Sequence, residues 1–295
     1  MDAGTGASGR MQAETPRVAT RRVLTIAGSD SGGGAGIQAD LKAFARCGVH
    51  GMSAVTAVTA QSTTGVNAIH AIPPEIVLAQ VRTVVADIGV DAVKVGMLGT
   101  AETATAVARA IDELPPGTPV VVDPVMVAES GARLLEPDAQ RALVREILPR
   151  ASVLTPNLPE ARVLADFGPQ GAPAGSADEE AEAHALATAV LALGPAAVVL
   201  TGGHRERAAD LFLEAGGDLN GVSIEGERQP DGAAHGSGCT HSAVLAAQLA
   251  LGRTPLDAAR IARAMTGAAI ARGLRDIGEG AGPVDVIGLQ GMRSS

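Results

Sequence analysis

The 295-residue sequence predicts an α/β protein with a mostly parallel central sheet and helices on both faces. Two observations carry that expectation. Strand-length runs of Val, Ile and Leu recur along the chain and are continuous rather than alternating, as strands covered on both faces read. Segments of helical period separate them, so strand and helix alternate as in repeated crossover units.

The elements follow in order. Val23–Ala27 reads as a strand ending at Gly28, and Gly36–Arg46 as a helix closed by Gly48. Val55–Thr59 is strand-like and Pro74–Val85 helical. Ala92–Val95 is a strand ending at Gly96, and Thr100 can cap a helix running to Ile111. Val120–Val122 is a strand stopped by Asp123-Pro124, followed by a helix over Pro137–Leu148. Ser152–Thr155 is a strand stopped by Pro156. Ser176 to Glu179 has capping-box spacing and opens a helix to about Leu193. Ala197–Thr201 is the next strand; Leu211–Leu213 and Val222–Ile224 form a hairpin around Gly216-Gly217. Gly238–Leu251 and Pro255–Arg272 are the last helices. The domain runs over residues 23–290, with a surface loop at Gly168–Gly175; residues 1–22, rich in Gly, Ala, Thr and Arg, read as a disordered N-terminal extension.

Composition narrows the function. The net charge is −9, from 32 acidic and 23 basic residues, and only Lys42 and Lys94 are lysines. That argues against a broad basic footprint for nucleic acid. Three Phe with no Tyr or Trp provide no base-stacking platform. Two cysteines, Cys47 and Cys239, cannot frame a disulfide scaffold, which places the protein in a reducing compartment. The most apolar stretch, Ala185–Leu200, is too short for a membrane span, and the N-terminus lacks the apolar core of a secretory signal. The expectation is a cytoplasmic protein with a small-molecule substrate.

In an open parallel sheet, ligands bind at the carboxyl ends of the strands. The residues there are Gly28 to Gly36, Ala60-Gln61, Gly96-Met97, Asp123-Pro124, Thr155-Pro156-Asn157 and Thr201-Gly202-Gly203-His204. The first Gly-rich loop opens a helix and can cradle an anion, or serve only as a tight turn; it has neither Walker A nor strict dinucleotide-binding spacing. The second, His235-Gly236-Ser237-Gly238-Cys239-Thr240, immediately precedes a helix. Its amides, backed by the helix dipole, suit the charge of a migrating phosphoryl group. A cysteine at such a helix start is expected to have a lowered pKa and to accept a proton from an alcohol. Asn157 and Glu160, three apart around Pro159, can form a capping box, hold a hydrated Mg²⁺, or do both.

Together these stretches resemble one family, the bacterial hydroxymethylpyrimidine/phosphomethylpyrimidine kinases of thiamine biosynthesis, within the ribokinase-like superfamily. The resemblance runs from Leu24 to Val284 in family order; Leu24–Lys42 and His235–Thr240 are its most specific parts, with Val58–Gln61, Lys94–Leu98, Val122–Met126, Thr155–Ala161, Gly202–His204 and Gly280–Val284 between and after them. It implies a ribokinase-like fold, a homodimer, and use of ATP and Mg²⁺. The implied substrate is 4-amino-5-hydroxymethyl-2-methylpyrimidine and then its monophosphate, giving the diphosphate. By the same resemblance Asp40 and Gln61 contact the pyrimidine, with Gly28, Met97 and Val125 lining it. Cys239 is the base beside Gly236, Ser237 and Gly238; Asn157 and Glu160, the latter through water, organise Mg²⁺ together with Asp123. Thr201 and Gly203 face the nucleotide. The family reads Lys-Gly-Gly-His where this chain has Thr201-Gly202-Gly203-His204, so a cation is missing beside the phosphates. Two other readings remain open: a pyridoxal kinase, and a ligand-binding regulatory relative with weak turnover. A Gln amide, offering donor and acceptor together, suits an aminopyrimidine better than pyridoxal.

Overall fold

The structure, a computed structural model, describes residues 19–128, 131, 134–168, 178–204, 208–218, 220–229 and 233–292. The chain begins in a sheet and keeps returning to it: β1 (Arg22–Ser29), β2 (His50–Gln61), β3 (Val66–Ala71), β4 (Ala92–Val95), β5 (Val120–Val122), β6 (Val153–Leu154), β7 (Ala197–Leu200), β8 (Asp210–Glu214) and β9 (Val222–Ile224). Their order in space is β3-β2-β1-β4-β5-β6-β7-β8-β9. The six from β2 to β7 are parallel; β3 is antiparallel to β2, β8 to β7 and β9 to β8, so β3 and β8 oppose the parallel set and β9 runs with it.

Helices fill the crossovers: α1 (Gly36–Arg46), α2 (Pro74–Asp87), α3 (Ala101–Asp112), α4 (Pro137–Ala142), α5 (Leu158–Ala165), α6 (Glu179–Leu191), α7 (Ser237–Ala250), α8 (Pro255–Ala271) and the short α9 (Leu289–Met292). The two-residue pleat sorts the strands between them. Leu24, Ile26, Val93, Val95, Val120 and Val122 pack with α2, α3, α5 and α6. Val23, Ala92, Val121, Val153 and Val199 pack with α1, α7 and α8. Each fully buried Val or Leu contributes about 1.5–3 kcal/mol of apolar transfer, enough in sum to hold a sheet whose ends are left polar.

Most expected elements are present, and the exceptions have local causes. β3 escaped the sequence reading because all six of its residues are exposed or half-buried, so no apolar period marks it. The helix expected over Pro137–Leu148 is regular only to Ala142. It then widens to i→i+5 turns over Leu143–Ile147 and tightens over Leu148–Arg150, where Pro149 brings no N–H. The helix expected from Ser176 is capped instead by Asp178, whose Oδ1 accepts from Glu180 N at 3.0 Å. Ser176, the loop at 169–175 and residues 1–18 lie outside the described residues. β1 starts at Arg22, one residue inside the stretch read as extension. No described helix is long and apolar enough to cross a membrane.

Candidate active site

The carboxyl ends of β1, β2, β4, β5, β6 and β7 open into one cavity. Of the residues singled out from the sequence, Gly28, Gln61, Met97, Asp123, Val125, Asn157, Glu160, Thr201, Gly203, Gly236, Ser237, Gly238 and Cys239 all line it. Asp40 does not.

The two Gly-rich loops meet at its centre. Asp30 organises the first: its carboxylate accepts from the N–H groups of Gly32 (2.8 Å), Gly34 (3.0 Å) and Ala35 (2.8 Å), and lies 3.1 Å from His235 Nε2. Burial pushes the Asp30 carboxyl up, but His235 and the Ala35 and Gly32 amides outweigh it and hold it below its usual value. His235 thereby joins this loop to the second. Gly236 is the N-cap of α7, with φ +79°, and a Cβ there would overlap the carbonyl oxygen of Gly34. Only glycine permits both the left-handed backbone and that approach. Ser237, Gly238 and Cys239 form the first turn of α7, whose N–H groups have no partner within the helix.

Beneath Cys239 lies a charged group that the sequence reading assigned no role. Lys94 is fully buried on β4, on the face that α1 and α7 cover. Its Nζ is 3.1 Å from Asp40 Oδ2 and 3.7 Å from Asp123 Oδ2. Burial lowers the Lys94 pKa, but Asp40 first, then Cys239 and Asp123, lift it above its ordinary value, so the ammonium stays charged. Asp40 itself is wholly buried, and the same Oδ2 accepts from Thr25 Oγ1 at 2.6 Å. The expected contact of Asp40 with the pyrimidine is therefore corrected: α1 presents it to the sheet, and it holds Lys94. The signal for Lys94 was present, one of only two lysines set inside the apolar run Ala92-Val93-Lys94-Val95.

Cys239 also departs from expectation. The helix start and the Gly36 N–H favour its thiolate, yet burial, reinforced by Asp123 and Asp40, overrides them and Lys94. The thiol is pushed up to about 12. It is protonated at rest, where a lowered pKa had been expected.

A second corner gathers oxygen donors. Asn157 and Glu160 form the capping box: Asn157 Oδ1 accepts from Glu160 N at 2.9 Å, and Glu160 Oε2 from Asn157 N at 3.0 Å. Burial first, and the charge of Asp123 second, push the Glu160 carboxyl up to about 8. Two carboxylates and an amide oxygen thus share one corner under like-charge stress, and a divalent cation would relieve it. Among the described residues no three or more His, Cys, Asp or Glu are grouped to hold a metal. Carboxyl and amide oxygens are the donor types that a hard, partly hydrated cation such as Mg²⁺ takes. Thr201 is bridged to Asn157, its N–H bonded to Pro156 O at 2.9 Å, so this strand end adjoins the same corner.

The substrate-side wall is simpler. Gln61 is fixed by paired bonds between its backbone and Ser31 Oγ (2.7 and 2.8 Å), and its Oε1 accepts from Thr59 Oγ1 at 3.2 Å. Thr56 Oγ1 donates to Met97 O at 2.6 Å and sets the turn after β4. Register shifts in β1 before Ser29 and in β2 before Gln61 splay these strand ends and open the wall.

Comparison with known proteins agrees with this geometry. Residues 30–285 match the model of the family described as phosphomethylpyrimidine kinase. A hydroxymethylpyrimidine/phosphomethylpyrimidine kinase of Rhizobium meliloti is 46% identical over 268 residues, covering 90% of this chain and 96% of that protein. The phosphomethylpyrimidine kinase structure from Clostridium difficile superposes with a TM-score of 0.72 at 34% identity, covering 85% of this chain and all (100%) of that one. A Staphylococcus aureus pyridoxal kinase in complex with ADP gives 0.77 at 33% identity, covering 91% and 94%. The fold is ribokinase-like, as the sequence resemblance implied. The match takes in the first glycine loop from Asp30, the whole of the second and the ends of β2, β4, β5, β6 and β7, and the chain belongs to the phosphomethylpyrimidine kinase family.

Proposed function

We propose that this kinase transfers the terminal phosphoryl group of ATP to the hydroxymethyl oxygen of 4-amino-5-hydroxymethyl-2-methylpyrimidine, and then phosphorylates the monophosphate to the diphosphate. One observation carries the reading: a single cavity has the N–H groups of α7 at its middle, Gln61 with Met97 and Val125 on one side, and Thr201 with Gly203 on the other. In-line transfer needs that arrangement, with acceptor and donor on opposite flanks of the migrating group.

Each residue then has a physical task. Gln61 offers a carboxamide to the amino group and ring nitrogen of the pyrimidine. The Gly238 and Cys239 N–H groups in the first turn of α7, which have no partner within the helix, would meet the negative charge of the transferring group; the Ser237 N–H is bonded to Ala234 O. Cys239 takes the hydroxyl proton. Because its thiol is protonated at rest, it must first release that proton to solvent in the open cavity; Lys94 beneath it favours the thiolate, which then accepts the hydroxyl proton. Asp123, Asn157 and Glu160 would hold Mg²⁺, directly or through water; the ion, when bound, neutralises phosphate charge. Thr201 brings no cation to its strand end, so the amide turn and the ion carry that duty.

We place the protein as a homodimer. The antiparallel β2–β3 ribbon stands at the sheet edge, with Val58 exposed on one of its faces and Ile69 on the other, and its free edge is the surface offered to a second copy.

The test is a side-by-side assay of ADP release with Mg²⁺–ATP and either the hydroxymethylpyrimidine, its monophosphate or pyridoxal. Turnover on the first two, with pyridoxal at least about tenfold poorer in kcat/KM, is expected. Faster turnover of pyridoxal would replace the proposed substrate. Tight pyrimidine binding with background turnover would make the protein a ligand-binding relative.

A further inference from the structure

Past the first turn of α7 the cavity continues beneath α8. Thr201, Gly203, Asp210, His241, Arg263 and Thr266 line this far part. Four of these are buried polar side chains. Asp210 begins β8, and its Oδ1 accepts from Gly202 N at 2.8 Å. Arg263 Nη1 lies 3.8 Å from the same oxygen, and His241 Nε2 lies 3.3 Å from Oδ2. Arg263 Nη2 also donates to Ala208 O. Among the described residues its Nε has no hydrogen-bond partner, nor has Thr266 Oγ1.

A guanidinium with a tenth of its side chain exposed is expensive to bury. A purely structural role would call for its buried N–H groups to be satisfied, and among the described residues the Nε–H is not. What Arg263 does hold is a chain of contacts ending at the Gly202–Gly203 turn. Gly202 is pressed against the backbone of Ala209, which a Cβ would overlap, so the turn is tied to the start of β8. Its N–H direction is set by Asp210, and Asp210 is held between His241 of α7 on Oδ2 and Arg263 of α8 on Oδ1, the oxygen that accepts from Gly202. Thr201 contributes no charge beside that turn, which raises what its backbone must do.

We propose that Arg263 is a positioning residue for the nucleotide: through Asp210 it fixes the Gly202–Gly203 turn against which the ATP phosphates lie, and it leaves the pyrimidine side untouched. This rests on the reading of the far part of the cavity as the nucleotide side. The contacts run through a carboxylate shared by a helix, a strand and a turn, so losing the guanidinium frees the turn without altering Gln61, Cys239 or Lys94.

The experiment uses the full chain with Arg263→Met, Arg263→Lys and Asp210→Asn. It reads ADP affinity by calorimetry with Mg²⁺, KM for ATP and for the hydroxymethylpyrimidine, and the melting midpoint. Arg263→Met should weaken ADP binding and raise KM for ATP about tenfold, with KM for the pyrimidine within about twofold. Arg263→Lys should recover most of the loss, since it keeps the charge beside Asp210, and Asp210→Asn should reproduce the ATP-side defect. Unchanged ADP affinity in Arg263→Lys and Asp210→Asn, with Arg263→Met either equally unaffected or unfolded, overturns the proposal. So does a drop in melting midpoint with both KM values rising together, the mark of a merely structural arginine. If the unaltered protein turns over ATP but binds ADP with no dependence on these residues, only this inference falls. If it binds no ADP at all, the nucleotide reading falls first and takes this one with it.

Discussion

The two ends of the parallel sheet are made of the same strands and treat charge in opposite ways. At the amino ends, Asp91 is saturated. It accepts from Arg22 N and Nε, both at 2.8 Å, and from Arg22 Nη2 and Arg21 Nη1, both at 3.2 Å, while Arg22 Nη1 donates to Ile88 O at 2.6 Å. At the carboxyl ends, Lys94 is shared by two carboxylates, one oxygen of Asp40 has no partner among the described residues, Glu160 is pushed up to about 8 and Cys239 to about 12. The first arrangement has nothing left to give. The second is a set of groups whose charges are satisfied only in part, which is the state of a site waiting for phosphate, cation and a proton to move.

The contrast breaks most sharply at Cys239. Cys239→Ala should lower kcat by roughly 10²–10⁴, the usual range for a lost proton acceptor, and leave urea stability within about 1 kcal/mol. Steady-state ADP release and equilibrium unfolding on one preparation measure both. A variant at full speed would remove Cys239 from the chemistry and leave the α7 amides as the whole of the cradle.

Lys94 comes next, and there stability and activity fall together. Lys94→Met strands two buried carboxylates, and breaking a buried pair in this way costs about 3–5 kcal/mol. Adding Asp40→Asn removes one orphaned charge and should return part of the stability without returning turnover, because the cation that favours the Cys239 thiolate is gone. Full activity in the double variant would show that Lys94 serves only to neutralise Asp40.

The same contrast explains what could be read from the chain. Strands β1, β4, β5 and β7 were legible because burial on both faces leaves runs dominated by Val, Ile, Leu and Ala, interrupted only by Thr25 in β1 and Lys94 in β4 before their terminal residues. Gly236 to Cys239 were legible because a left-handed cap and a tight approach demand glycine. β3 was not, since an exposed edge imposes no period. Asp40 misled because a carboxylate beside a glycine loop looks the same in sequence whether it faces ligand or lysine; only the direction of α1 over the sheet decides. Cys239 misled because the helix dipole is a local property, while the burial that outweighs it comes from α1, β4 and β5 together. Arg263 and Asp210 lie far apart along the chain, and nothing in local spacing joins them.

The smallest effect lies at the saturated end. Arg22, by hydrogen bond and charge, holds the Asp91 carboxyl at about 2 against an ordinary 3.8. A carboxyl held low in the folded state adds stability that is complete above its unfolded value and disappears as pH falls through the folded one. The pair is partly solvated, Arg22 being 38% exposed, so its contribution at neutral pH is about 1 kcal/mol rather than the larger figure the shift alone would give. Asp91→Asn should therefore lower urea stability by about 1 kcal/mol at neutral pH and by about half of that near pH 3, with kcat unchanged at neutral pH. A loss that stayed constant as pH fell would mean that Asp91 stabilises through its hydrogen-bond geometry alone, which Asn cannot copy. A change in kcat would mean that the two ends of the sheet are coupled, and that the division of labour between them is less complete than the contacts imply.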